Sequence, residues 1–413
     1  MSITRRIFLR NSALAVVGTA AIPSFLTRAA LGAAEPGTRT KRLVVIFQRG
    51  AADGLNIVVP HGEGAYYGMR PSIAIPRKDV IDLDGFFGLH PSMTSFKPLW
   101  EQGHLAIVHA AGSPDPTRSH FDAQDYMESG TPGVKATEDG WLNRTVRTMP
   151  GADEKSSFRA IAMGPALPRI LSGSEPAVAI NNIDSFGVGG KNPNSPIANT
   201  FEAMYAQSVD SVLHGTGQET FDAVKMLRSA DPAKYTPAAG ADYPRGRFGD
   251  SLRQLAQLIK ANLGVQVAFA DIGGWDHHVN EGSTQGQLAN VLGDFSQALA
   301  AFWTDLGDLG EDTVVVTMSE FGRTARENGN RGTDHGHANV MFVLGGPVKG
   351  GKVHGKWPGL QQEQLYEGRD LALTTDFRRV LGETINQHLG NRSVNQVFPD
   401  FDFTATGSLK ILG

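Results

Sequence analysis

The sequence predicts an α/β fold with a mostly parallel central sheet flanked by helices. Three observations predict it. Short unbroken apolar runs such as Leu43-Val44-Val45-Ile46-Phe47 recur along the chain, as expected of strands buried on both faces. Between several of them lie stretches with apolar residues at helical spacing, the strand, helix, strand rhythm of parallel sheets. Glycine accounts for 49 of 413 residues, which suits tight turns and close backbone approaches better than a helical bundle.

The first 34 residues read as an address. Thr4-Arg5-Arg6-Ile7-Phe8-Leu9-Arg10 is a twin-arginine pattern, and a small-residue apolar run follows from Ala13 to Leu26, as in signal peptides of exported, already folded proteins. Gly18 and Pro23 break that run, so no stable membrane span is expected in the mature form. The expected location is the periplasm or another extracytoplasmic site, reached through the twin-arginine translocation machinery. Residues 35–413 then form the mature domain.

The strand over 43–47 ends in the loop Arg49-Gly50-Ala51-Ala52-Asp53-Gly54. Met93, Phe96, Leu99 and Trp100 mark an amphipathic stretch, and Leu105 to Ala110 is the second strand. From 131 to 242 the chain is irregular, rich in Gly, Pro and Asn, and reads as an insertion or cap with some helix around 197–213. The rhythm then returns. Leu252, Leu255, Ile259 and Leu263 line a helix, and Val265 to Ala270 is a strand. Leu288 to Leu306 is a long helix, Thr313 to Thr317 a strand, Ala338 to Leu344 another, and Phe377 to Leu389 a last helix.

Composition narrows the function. With 38 basic against 42 acidic residues and a net charge of -4, nothing drives binding to a polyanion, so nucleic acid is not an expected partner. The chain has no cysteine. Thiolate nucleophiles, iron-sulfur clusters and Cys-ligated zinc are thereby excluded, and any metal must be held by His, Asp, Glu and other oxygen donors.

In open parallel sheets ligands bind beyond the carboxyl ends of the strands, so what each strand runs into is informative. The first runs into Asp53, the second into Arg118-Ser119-His120-Phe121-Asp122. The next runs into Gly273-Gly274-Trp275-Asp276-His277-His278, and the one after it into Ser319-Glu320-Phe321-Gly322-Arg323. Five of the twelve histidines, His120, His277, His278, His335 and His337, fall in these segments or just before the strand over 338–344. An Asp or His in a Gly-rich turn is ordinarily a turn or cap residue. The conjunction of several such segments instead points to a metal centre, because imidazole and carboxylate sites need ligands from different segments with close spacing inside each. Asp276 and His278 are two apart, as are His335 and His337, and either pair shares a side if its loop is extended. Ser119 reads as a helix N-cap, or as a nucleophile facing the positive end of a helix dipole. Arg118 and Arg323 could bind an oxyanion or pair with surface acids.

Taken together, RGAADGLNIVVP, LHPSM, RSHFDAQDYMESG, GGWDHH, SEFGRT and GTDHGHA resemble the bacterial domain-of-unknown-function family 1501 over essentially the whole mature chain. That family in turn resembles the alkaline phosphatase and sulfatase superfamily. The resemblance implies an alkaline phosphatase-like sheet with divalent metal ions, zinc, manganese or calcium, at the strand ends. Asp53, Asp276, His278, Glu320 and His335 or His337 would be ligands, Ser119 the nucleophile, and Asp334 an orienting group for an imidazole. It departs from the pattern at Glu320-Phe321, where a ligand pair usually supplies a histidine, and at Pro114, where a sulfatase carries its modified residue. The implied function is a metal-dependent hydrolase of phosphate or sulfate esters, on a small-molecule or polymer substrate. The alternative is a non-catalytic periplasmic or surface protein with the same fold and a structural ion or none.

Overall fold

The computed structural model describes residues 39–150, 158–183 and 235–413. The twin-arginine leader and the helix expected around 197–213 lie outside them.

Nine strands form one sheet. They are β1 (Arg42–Gln48), β5 (Leu105–Gly112), β6 (Ala160–Met163), β7 (Val178–Ile180), β8 (Val267–Ile272), β9 (Thr313–Ser319), β10 (Asn339–Gly345), β11 (Lys352–His354) and β12 (Thr375–Asp376). Their order is β11-β5-β10-β9-β1-β8-β6-β7, with β12 also paired to β5. Three short strands, β2 (Val58–Val59), β3 (Ile81–Asp82) and β4 (Gly88–Leu89), make a separate small sheet.

The central strands are apolar throughout because both faces are covered. Along β1, Val44 and Ile46 pack into one core and Leu43, Val45 and Phe47 into the other. The first core is closed by the helices over Arg247–Lys260 and Gln287–Leu306, through Leu252, Leu255, Leu292 and Phe295. The second is closed by those over Trp141–Thr148 and Phe377–Gln387, through Leu142, Val146, Val380 and Leu381. The expected strands and long helices are all present. The stretch around Met93 to Trp100 is instead a 3-10 turn over Pro91–Phe96, followed by a helical turn over Lys97–Glu101.

Two features position the site. Every pairing in the large sheet is parallel except those of β10, which runs antiparallel to both β5 and β9. The residues that precede β10 therefore arrive at the edge where β1, β5, β8 and β9 end. Had β10 been parallel, the GTDHGHA segment would have lain at the opposite edge. The second feature is that the span 131–242, expected to be an insertion or cap, contributes to the main sheet where it is described. Residues 160–163 and 178–180 are strands of the main sheet, and 141–148 a helix on its face. Strands of four and three residues are too short to show a period amid glycine and proline.

Candidate metal centre

The segments that converge at this edge are built from local rules. After β8 the chain turns tightly, His277 N–H donating to the Trp275 carbonyl, and burial alternates along it. Trp275 and His277 are buried, whereas Asp276 and His278 reach outward, with side chains 47% and 39% exposed. After β5 a helix over His120–Ser129 begins, α1, with Ser119 at its N-cap. Between β9 and β10 the strands unravel into a looser ladder, in which Arg323 bridges His335, Gly322 N–H donates to the His337 carbonyl and Gly336 N–H donates to the Gly322 carbonyl. Gly50 closes the approach from β1. Its φ is +119°, and a Cβ there would lie 2.9 Å from the Asp276 nitrogen, so only glycine lets the two loops touch.

The outcome is a cluster of imidazoles around one carboxylate. His120, Asp276 and His335 present ligand atoms all within 4.8 Å of one another. The His335 Nε2 lies 3.1 Å from His120 Nε2 and 2.9 Å from His278 Nε2. Asp276 oxygens lie 3.0 Å from His278 Nε2, 3.5 Å from His335 Nε2 and 3.7 Å from His120 Nε2. Nitrogens bound tetrahedrally to zinc at about 2.05 Å sit roughly 3.3 Å apart, so these separations match the edges of a coordination shell.

The far side of each ring decides what Nε2 offers. His120 Nδ1 meets Glu320 Oε1 at 2.8 Å, His335 Nδ1 the Arg118 carbonyl at 2.8 Å, and His278 Nδ1 Asp334 Oδ1 at 3.2 Å. All three partners are acceptors in their ionised or carbonyl form, so each Nδ1 carries its proton there, and each neutral ring turns a lone pair on Nε2 toward the others. Three lone pairs and a carboxylate at this range repel one another unless a proton or a cation lies between them. The Glu320 hydrogen bond, which outweighs partial burial, raises His120 above its ordinary pKa. Burial lowers His335, favouring the neutral ring. For Asp276, burial is outweighed by the hydrogen bond and charge of Arg323, which keep it ionised.

The structure separates the sequence candidates into two groups. It brings Asp276, His278 and His335 together and adds His120, which the sequence reading counted among the loop histidines without giving it a ligand role. Glu320, Asp53 and His337 are placed elsewhere. Glu320 faces the back of His120, where it also accepts from Gln124 Nε2 and Gly50 N–H. Asp53 is buried in a two-pronged ion pair with Arg70 and is hydrogen bonded to Glu281. His337 stacks on Tyr366 at 4.2 Å, because the chain bends at His337 and the extended geometry that would have aligned it with His335 is lost. Asp334 Oδ1 lies 3.2 Å from His278 Nδ1, on the far side of that ring from the converging nitrogens.

The two arginines are already committed. Arg323 is buried and donates to the carbonyls of Gly50, Ala51 and Thr333 and to Asp276. Arg118 is held by Asp370 and Glu367. Ser119 is exposed, and its hydroxyl makes no capping bond.

Among solved structures, the chain is similar to a sulfatase, PsFucS1, from a Pseudoalteromonas species (13% identity, 95% of this chain and 77% of that one, TM-score 0.41). It is similar also to the zinc-complexed C-terminal periplasmic domain of EcEptC from Escherichia coli (9%, 75% and 74%, TM-score 0.35). A third is a protein in the alkaline phosphatase superfamily from Vibrio parahaemolyticus (10%, 79% and 69%, TM-score 0.32). No curated protein sequence matches the chain. The model of one family, described as a protein of unknown function (DUF1501), matches residues 40–398 from the first strand to beyond the last long helix, and the chain belongs to that family.

Proposed function

We propose that the protein is an exported, metal-dependent hydrolase of phosphate or sulfate esters. One observation carries this reading: His120 and His335, each held at Nδ1 by an acceptor, present Nε2 within 4.8 Å of each other and of an Asp276 oxygen, and His278 Nε2 lies 2.9 Å from His335 Nε2 and 3.0 Å from Asp276. These four residues would hold the ion. Three imidazoles and one carboxylate suit zinc, and manganese next, better than calcium, which takes oxygen ligands. Bound there, a divalent ion would polarise the ester and favour the deprotonated form of a nearby hydroxyl or water.

The chain's own groups supply the rest. Asp276 is held in place by Arg323, so the carboxylate cannot swing away from the imidazoles. The Ser119 hydroxyl, uncommitted at the start of α1, is the candidate nucleophile, with water as the other. First-turn amides of α1 lack intrahelical partners and lie at the positive end of its dipole. They would take the charge-stabilising role that the committed guanidinium groups of Arg118 and Arg323 leave open. The twin-arginine pattern at residues 4–10 supports export.

The second reading is a non-catalytic protein with a structural ion, and the commitment of both arginines is the observation in its favour. Elemental analysis of protein purified without a metal-affinity tag tests the shared premise: about one equivalent of metal is expected, lost in Asp276→Ala. Turnover of phosphate monoester, phosphodiester and sulfate ester substrates, abolished by Ser119→Ala with metal content retained, separates the two. Bound metal with no turnover of any ester class favours the structural ion. No bound metal overturns the hydrolase reading and leaves the non-catalytic protein without an ion.

A further inference from the structure

Among the described residues, most large apolar side chains are buried or partly buried, and four are exposed: Phe121 at 90%, Val279 at 50%, Val134 at 42% and Leu167 at 41%. Two of these four directly follow an imidazole of the candidate centre, Phe121 after His120 and Val279 after His278. Phe121 is the extreme case. It occupies the first turn of α1, two residues from Ser119, and its ring has no aromatic partner among the described residues.

Its position follows from α1. His120 and Phe121 are consecutive residues of one helical turn, about 100° apart around the axis. The turn that directs His120 toward Asp276 and His335 therefore turns Phe121 away into solvent, one residue along the chain from a member of the centre. Val279 is the residue after His278, and it too is exposed. An aromatic ring left in water gains nothing for the fold, and covering it is worth as much to a ligand as to a core. The centre itself is open, since Asp276 and His278 are both more than a third exposed.

We propose that Phe121, assisted by Val279, is a specificity-determining subsite that binds a flat apolar ring face carried next to the anionic group at the metal centre. The inference rests on the ester-hydrolase reading and names its substrate class: esters with a ring directly attached, as opposed to small alkyl or inorganic esters. The ring face is either an aryl leaving group or the apolar side of a sugar. Both stack on a phenylalanine through the same contact, so the two sources are resolved by choice of probe.

The test uses the full chain loaded with zinc or manganese and titrated with methylphosphonate, phenylphosphonate and glucose 1-phosphate. Wild-type protein is expected to bind at least one ring-bearing probe roughly three- to ten-fold more tightly than methylphosphonate, the worth of one aromatic contact. Phenylphosphonate identifies an aryl substrate and glucose 1-phosphate a glycosyl one. Phe121→Ala should lose the preference and Phe121→Tyr keep it, with metal content equal in all three proteins. A ring preference that survives Phe121→Ala, or equal affinity for all three probes in the wild type, overturns the subsite while leaving the hydrolase reading standing. If the metal-loaded protein binds none of the anions, the hydrolase reading fails and the subsite falls with it.

Discussion

At the residue scale, the informative side chain is one that does not point at the converging nitrogens. Glu320 is fully buried, and desolvation alone would raise its pKa. Its hydrogen bonds from His120 and Gln124 outweigh that and hold it below the usual carboxylate range. An ionised acceptor behind an imidazole fixes the tautomer and increases the basicity of the opposite nitrogen. Glu320→Gln keeps the size and one acceptor oxygen but removes the charge. The expected outcome is a metal affinity about 10- to 100-fold weaker, with the far-ultraviolet dichroism of the wild type, measured by competition with a chromophoric chelator. Equal affinity in the two proteins would remove Glu320 from the centre's support. From the sequence, Glu320 was visible only as an acid after a strand; whether such an acid meets a metal or the back of a histidine depends on α1, which joins the site from 200 residues away in the chain.

At the element scale, three loops are tied by one buried cluster behind the centre. Asp53 follows β1, Glu281 follows β8, and Thr333 lies between β9 and β10. Arg70 grips Asp53 with both guanidinium arms and donates to the carbonyls of Thr324 and Ala325. Glu281 accepts from Asn56 and from Thr333. These same loops carry Asp276, His278, Arg323 and His335, so the cluster sets how far apart the imidazoles stand. Arg70→Met removes the positive partner and leaves the buried Asp53 charge uncompensated. Breaking a buried pair in this way costs about 3–5 kcal/mol, so denaturant unfolding should shift by that amount, and metal affinity should fall with it. A shift below about 1 kcal/mol would mean that the pair does not hold the loops. Little of this was legible in the sequence. Long apolar runs and helical periods disclosed the main strands and helices, because burial on both faces leaves a strong pattern. Arg70 sits at the end of a short helical turn with no spacing that links it to Asp53, and the last two strands at one side of the sheet, over 160–163 and 178–180, are too short to show a pattern. The direction of β10 was equally hidden, since an apolar run looks the same in either orientation.

At the scale of the whole molecule, the buried acid pair predicts how stability responds to pH. Two carboxyl groups in contact and out of water cannot both ionise cheaply, so one proton stays between them. Burial and the neighbouring Asp53 charge push Glu281 well above its ordinary value of 4.5. Burial acts on Asp53 in the same direction, but the charge and hydrogen bonds of Arg70 reverse it and hold Asp53 below its ordinary value of 3.8. The signs therefore oppose. Asp53 contributes stability that is present above about 3.8 and lost as pH falls through its native value. Glu281 contributes stability that is complete below about 4.5 and lost as pH rises toward its native value, with a slope of up to about 1.4 kcal/mol per pH unit. Glu281→Gln stands in for the protonated acid and keeps an N–H for Asp53, so it should remove the Glu281 slope and leave the Asp53 one. The difference in unfolding free energy between wild type and Glu281→Gln, measured in urea at steps from pH 4 to 9, should move steadily against the wild type as pH rises from about 4.5 and then level off. Parallel profiles across that range would show that Glu281 is ionised in the native molecule and that no proton is shared.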